Sequence, residues 1–396
     1  MRRWAFLLLL AGLAWPARAA TGVSVAYVDQ LLAKTHKLPD KKVAHKIDGL
    51  ELTERVSYAR LARWKAMFPG PESQGALIKL ADAAAFLSPA VNDIPDRPKP
   101  DREEQKQILM KALDYTVDTL HRLPNFTATR RTRSFEGQAP SPADKTIMGM
   151  ILGPREADDT ASANNGDDDF RRLTAVESWN QTVTYRDGAE VVENGQALTA
   201  EAPIGLASSG EFGPILNVVL SDAMQGKLLW DHWERGANGD FGVFSYTVPQ
   251  EHSHYRVGRR GFLETEGHFP AYHGEIGIDP ATGSILRISM DADFGPNSAA
   301  KVSSIQVEYG SVKIGGSSYI CPLWSVVRYK SAAAVEESGT ISITTHKTYA
   351  TNVNDVVFTD YHLFRSESRI LPVVDTSGNS GAPAATPVQA PTPEPK

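Results

Sequence analysis

Leu286-Arg287-Ile288-Ser289-Met290-Asp291-Ala292-Asp293 alternates apolar and polar side chains residue by residue. Successive side chains of a strand point to opposite faces, so Leu286, Ile288, Met290 and Ala292 share one face. Arg287, Ser289, Asp291 and Asp293 share the other. Such a strand belongs in an antiparallel sheet with one packed face and one wet face. Ser318 to Tyr329 reads differently. Ile320, Trp324 and Val326 alternate with Tyr319, Cys321, Leu323 and Val327. It is apolar on both sides, which predicts a central strand covered on both. Phe126 to Phe135 and Thr182 to Val192 carry strand patterns of their own. Asp187-Gly188, Asn194-Gly195, Asn238-Gly239 and Gly315-Gly316 supply hairpin turns. The second half of the chain is therefore expected to form one large antiparallel sheet.

The first part reads as helix. From Ser24 to Arg122, Val56, Ala59, Arg60, Arg63 and Trp64 recur at helical spacing, as do Leu77, Leu80, Ala81 and Ala84, until Pro89 stops the run. Asn92 to Pro100 holds Pro95, Pro98 and Pro100 and reads as a stiff linker. Asp101 is an expected N-cap with Glu104 in capping-box position. Ile108, Leu109, Ala112, Leu113, Thr116, Val117 and Leu120 then form a wide apolar stripe. Pro214 opens a further helix among the strands. Gly137 to Asp169 reads as a mobile loop, and the Pro-, Ala- and Thr-rich end of the chain reads as disordered. The fold class expected is α+β, an N-terminal helical unit followed by a curved antiparallel half-barrel sheet packed on helices. Its organisation is 1–19 signal peptide, 20–91 helical unit, 92–371 sheet with packed helices and 372–396 tail.

The signal peptide rests on Arg2 and Arg3, the apolar run Leu7 to Leu13 and the small-x-small site Ala17-Arg18-Ala19. It implies a periplasmic or secreted protein. The apolar run is too short to span a bilayer, so the protein is not expected to be membrane-spanning. The chain has 396 residues and a formal net charge of −6, which argues against nucleic acid as a partner. Its single cysteine, Cys321, sits in an apolar strand and reads as a buried small hydrophobe.

Ile276-Gly277-Ile278-Asp279-Pro280-Ala281-Thr282-Gly283-Ser284-Ile285-Leu286-Arg287-Ile288 resembles the hairpin of the periplasmic lipoprotein-carrier (LolA-like) and related lipid-binding folds. That resemblance implies a curved antiparallel sheet around helices with an apolar cavity between. Gly49 to Arg55, Leu123 to Phe126, Trp230-Asp231-His232-Trp233-Glu234 and Tyr361 to Arg365 are similar to phrases of an uncharacterised family of secreted bacterial proteins. The similarity spans the chain to about Leu371 and implies no activity.

Candidate chemistry is thin. His252-Ser253-His254 would place two imidazoles on one side of a strand, with His232, His268 and His273 as further ligands for zinc or copper. A structural or surface role fits these histidines better, since no helical His-Glu-x-x-His accompanies them. Asp291/Asp293 and Glu264/Glu266 read as solvent-facing pairs, and Asp167-Asp168-Asp169 as a solvated loop. Ser208-Ser209-Gly210 does not make a nucleophile elbow. Arg130, Arg131, Arg133 and the pair Arg259-Arg260 are basic spots that fit edge-strand protection. The aromatic residues of the β-region suit an apolar cleft. Trp230, Trp233, Leu286, Ile288, Met290 and Trp324 are the expected ligand-binding residues, with no catalytic residue, metal or cofactor expected. The function expected is a non-enzymatic binding or carrier protein that buries a lipid or acyl chain between sheet and helix. The alternatives are a cell-envelope protein–protein interaction module, signalled by an exposed apolar stripe on 53–68, and a metal-dependent hydrolase.

Overall fold

The computed structural model describes residues 21–119, 123–137, 170, 173–191, 211–212, 214–255, 269–296, 298, 300–338 and 343–364. In chain order these form β1 (Thr21–Val23), α1 (Val25–Thr35), α2 (Asp40–Ile47), β2 (Leu50–Leu52), α3 (Tyr58–Met67), α4 (Pro71–Ala83) and α5 (Arg102–Thr119). There follow β3 (Phe126–Gly137), β4 (Leu173–Arg186), β5 (Ala189–Val191), α6 (Pro214–Gln225), β6 (Lys227–Arg235), β7 (Asp240–Val248), β8 (Ala271–Ile278) and β9 (Ile285–Asp293). The last three are β10 (Ala300–Ile314), β11 (Ser317–Ser338) and β12 (Ile343–Leu363). The signal peptide, the 138–169 segment, Ser208-Ser209-Gly210, Arg259-Arg260, Glu264, Glu266, His268 and the 372–396 tail lie outside the described residues. Among the described residues no helix is long and apolar enough to cross a membrane.

The protein is α+β. Ten strands form one sheet in the order β5-β4-β3-β12-β11-β10-β9-β8-β7-β6. All its pairings are antiparallel. The sheet is open rather than closed into a barrel. The long strand β11 is central, as its two apolar sides require. Cys321 and Val327 enter one core and Trp324 and Val326 the other, and Cys321 is buried.

Each face of the sheet has its own core. On the first, Phe244, Ile276, Ile288, Val307 and Val356 pack with Ile108 and Ala112 of α5 and with Leu216, Val219 and Ala223 of α6. Asp101 caps α5 as expected, accepting from the Glu104 N–H at 2.8 Å. The buried stripe of α5 is narrower than its sequence suggests, because Val117 is exposed. On the second face, Phe135, Trp324, Val326, Val353 and Val357 pack with Val28, Leu32, Leu61, Trp64, Leu77 and Leu80 of α1, α3 and α4. Helical layer and sheet belong to one compact unit that ends at Phe364.

This second layer corrects the reading of β9. The face expected to be wet is covered where it meets the helical layer, and Arg287 is 0% exposed and Ser289 8%. Alternation shows which side chains share a face; what lies over that face is set by distant chain. Leu286 also departs from expectation. A bulge between Gly277 and Ile278 pairs Ile285 with Ile278, so Ile285 enters the core and Leu286 is left half-buried.

Candidate functional site at the seam between helical layer and sheet

Arg55 follows β2 and is pinned to the end of the helical layer. Its N–H donates to the Ser88 carbonyl at 2.7 Å, and it forms a parallel bridge with Pro89. This holds its guanidinium, 4% exposed, against the sheet. There it meets Glu234 of β6, Glu275 of β8 and Arg287 of β9. Arg287 donates to Glu234 Oε1 at 2.6 Å and to Glu275 Oε2 at 2.9 Å. Arg55 donates to Glu234 Oε2 at 2.8 Å and to Glu275 Oε2 at 3.5 Å. The four groups close a ring in which each carboxylate touches both guanidiniums. Gly277, one strand over from Arg287, leaves room for the Phe241 ring. A Cβ there would stand 2.7 Å from the Phe241 ring, which lies under the guanidinium. His232 adds a contact to Glu234 at 3.3 Å.

Burial alone would raise the Glu234 carboxyl, but the Arg287 and Arg55 guanidiniums outweigh it and hold it well below the usual carboxylate range. Burial pushes the neighbouring Glu308 up, and Glu234 adds to the push, while Arg287 and Arg55 offset part of it. Burial would lower His232, yet its hydrogen bond to Glu234 and the charge of Glu234 raise it. A buried ring of this kind adds little net stability over apolar packing, because desolvation offsets the attraction, although losing one member leaves a charge uncompensated.

Beside the ring opens a cleft of about 540 Å³. Its floor is a row across β7, β8, β9 and β10, with Ser245 opposite Glu275 and Ser289 opposite Gln306. Its other wall is Phe86, Leu87 and Ser88 of the helical layer, with Arg55 at the corner. The β8–β9 ladder is interrupted at this floor, between the pairs His273–Asp291 and Ile276–Ile288. Side chains take over its hydrogen bonds. The Glu275 N–H donates to Ser289 Oγ at 3.0 Å, and the Tyr246 hydroxyl donates to the Ser289 carbonyl at 2.7 Å. Gly274 permits this, because a Cβ there would lie 2.0 Å from the Ser289 carbonyl oxygen. Gln306 is only 1% exposed, and among the described residues neither its Oε1 nor its Nε2 has a hydrogen-bond partner. Buried side-chain amides are normally paired, so this one needs an explanation. A second, smaller pocket of about 80 Å³ shares Phe86 and Leu87 with the cleft. It is lined by Ile47, Leu50, Leu52, Leu80 and Phe170, with Arg328 at its edge.

The residues expected to bind a ligand are divided between the faces. Trp230 and Trp233 meet edge to face at 4.7 Å, and the Trp233 N–H donates to the Pro98 carbonyl at 2.8 Å. Ile288 and Met290 belong with Trp233 to the α5/α6 core. Trp324 lies on the opposite face, stacked on Tyr58 at 5.9 Å and donating to Asp355 at 2.6 Å. Neither pocket is lined by Trp230, Trp233, Leu286, Ile288, Met290 or Trp324. The histidines are dispersed. His252 ends a 3-10 helix rather than lying on a strand, so it and His254 do not form the expected pair. His254 binds Asp222 at 2.6 Å, and His273 binds Asp293 at 3.0 Å. Among the described residues no three His, Cys, Asp or Glu are grouped to hold a metal. The basic strand is split by its pleat. Arg130 is buried against Glu190 and Glu211, whereas Arg133 reaches Asp355 at 3.7 Å across the other face.

The sequence reading missed Arg55, Glu234, Glu275 and Gln306. Arg55 lies outside any periodic run, and Gln306 is one polar residue within an ordinary strand pattern. The one available signal was that the helical unit would need a surface to cover. The chain matches no family model, and comparison with curated proteins and with solved structures gives no match either.

Proposed function

We propose that the chain is an exported, non-enzymatic binding or carrier protein, periplasmic or secreted, which holds a small amphiphile between its sheet and its helical layer. The observation that carries this reading is that the cleft and the smaller pocket share Phe86 and Leu87. Hydrogen-bonding groups of the sheet therefore lie near the Ile47, Leu50, Leu52 and Leu80 side chains, which stand among Asp48, Glu51 and Lys79. A molecule lying across that shared wall would set its polar part over Glu275, Ser289 and Gln306. A short apolar segment would rest among Leu50, Leu52 and Leu80. Each CH₂ taken from water there contributes about 0.8 kcal/mol, so affinity needs no reactive side chain. The open antiparallel sheet with α5 and α6 on one face agrees with the arrangement that the lipoprotein-carrier resemblance implies. The ligand position proposed is nonetheless the other face, because the α5/α6 side is filled by side chains such as Phe126, Tyr185, Phe212 and Tyr246.

The interaction-module alternative has less support. The stripe on 53–68 that would serve it is covered, since Val56, Leu61, Trp64 and Phe68 are all at most 5% exposed. Among the described residues a metal-dependent hydrolase has no constellation to build on, because each described histidine with a carboxylate partner uses a different one.

Native mass spectrometry of the secreted chain tests the proposal. A small molecule should ride with the protein, and extracting it should lower Tm. A bare chain whose Tm is unmoved by octyl-chain amphiphiles would defeat it.

A further inference from the structure

We infer that the cleft between Phe86–Ser88 and the sheet recognises an uncharged, polyhydroxylated group, a sugar ring, as the polar part of its ligand. This rests on the binding-protein reading and names what that reading leaves open.

Charge decides first. Two carboxylates line the cleft, but both are already opposed by guanidiniums. Glu275 takes Arg287 at 2.9 Å and Arg55 at 3.5 Å, and Asp291 takes Arg328 at 3.4 Å. The arginines are spent in turn, since Arg55 and Arg287 also hold Glu234. His273, the remaining ionisable side chain of the lining, is taken by Asp293 at 3.0 Å, so a charged head group would meet only groups that already hold a partner. What remains is neutral and directional: the Ser245, Thr247 and Ser289 hydroxyls and the Gln306 amide. A side-chain amide presents an acceptor oxygen and two donor hydrogens in one plane, and a hydroxyl is both donor and acceptor. Adjacent hydroxyls on a ring match that set. Gln306 is the specific pointer. It lines the cleft, is 1% exposed and has both polar atoms unpartnered. A buried amide left without partners weakens a fold, so its place at a cleft floor is explained when a ligand completes it. Phe86 on the facing wall gives the apolar face of a sugar ring a surface to lie on.

Free saccharide and the sugar head of a glycolipid share this chemistry, and the experiment separates them. The probes are methyl glycosides of glucose, galactose, mannose and N-acetylglucosamine at up to about 10 mM, where weak binding still registers. Octyl glucoside, octanoate and octyltrimethylammonium are added below their micellar concentrations. The readouts are the Gln306 side-chain amide resonance of the full parent chain, and Kd by isothermal titration calorimetry for the parent and each variant. Binding of a methyl glycoside that moves this resonance supports the proposal with free saccharide as the source. Binding of octyl glucoside alone supports it with a glycolipid head as the source. Gln306→Leu should fold with an unchanged or higher Tm, yet weaken glycoside binding about tenfold, as loss of a buried hydrogen-bonding group does. Ser245→Ala, at the half-buried end of the floor, should weaken it about threefold. The proposal is overturned if octanoate or the ammonium binds as well as octyl glucoside, or if Gln306→Leu binds glycosides as tightly as the parent. Either outcome leaves the binding-protein reading standing. Silence from every probe overturns the sugar assignment, while the native mass spectrum separately judges the carrier reading.

Discussion

Arg287 is entirely enclosed by protein, and the two carboxylates it touches are shared with Arg55. Removing it would leave Glu234 and Glu275 facing each other with one guanidinium between them. Losing one member of a buried charge network typically costs about 3–5 kcal/mol, because the remaining charge stays desolvated. Arg287→Met should fall in that range by urea unfolding, and a loss below about 1 kcal/mol would mean that the ring is not dry. Cys321 is the opposite sort of residue, buried but chemically idle. Burial pushes its thiol up to about 12, so almost no thiolate exists near neutral pH. A thiol reagent at pH 8 should leave the native chain unlabelled and modify one group after denaturation. Rapid native labelling would show that β11 opens. The composition and context of Cys321 made its burial legible in advance. The pairing of Arg287 was not legible, since its partners come from two other strands and a loop more than two hundred residues away.

At the scale of elements, the β8–β9 turn shows local chemistry and tertiary packing acting together. Asp279-Pro280-Ala281-Thr282-Gly283 is good turn sequence, and Asp279 accepts from the Ala281 N–H and the Thr282 hydroxyl. Gly283 sits at φ +76°, where a side chain is strained, and a Cβ there would stand 2.3 Å from the Lys111 carbonyl oxygen. Lys111 also donates to the Pro280 carbonyl at 2.9 Å. The turn is thus both a hairpin tip and a seat for α5. Gly283→Ala should destabilise by about 1–3 kcal/mol, from backbone strain plus displacement of α5. A near-neutral change in chemical denaturation would show that α5 moves freely over the hairpin. The turn, the Asp101 cap and the doubly apolar β11 could all be read from sequence, because each depends on residues close together in the chain. The bulge that excludes Leu286 from the core could not, since it depends on the register of β8.

Over the whole molecule, buried acids pull the pH dependence in two directions. Glu234 is held low by its arginines, so its contribution is present above its ordinary value near 4.5 and is lost as pH falls below it. Asp82 of α4 is 3% exposed, and neither carboxylate oxygen is partnered among the described residues. Burial, and then the charge of Asp355, raises it well above its ordinary 3.8. Asp355 is raised by its own burial. A raised acid contributes stability below its unfolded value and loses it as pH climbs through the folded one. The pair therefore weighs against the fold at neutral and alkaline pH. Asp82→Asn should raise Tm more at pH 8 than at pH 5. An equal shift at both would show that Asp82 is ionised throughout, and a fall at both would show that its charge is needed.

Sequence alone determined that this chain builds an antiparallel sheet with helices, that Asp101 caps α5, and that Asp187-Gly188, Asn238-Gly239 and Gly315-Gly316 turn the chain. These follow from periodicities of two and 3.6 and from residues that favour turns and caps, which act over a few positions. Tertiary structure decided that the charged face of β9 is a covered seam, that Trp324 and Ile288 serve different cores, and that a cleft lies between Phe86 and the sheet. Burial and ion pairing between segments so far apart in the chain exist only once the helical layer rests on the sheet, and no local pattern encodes that contact.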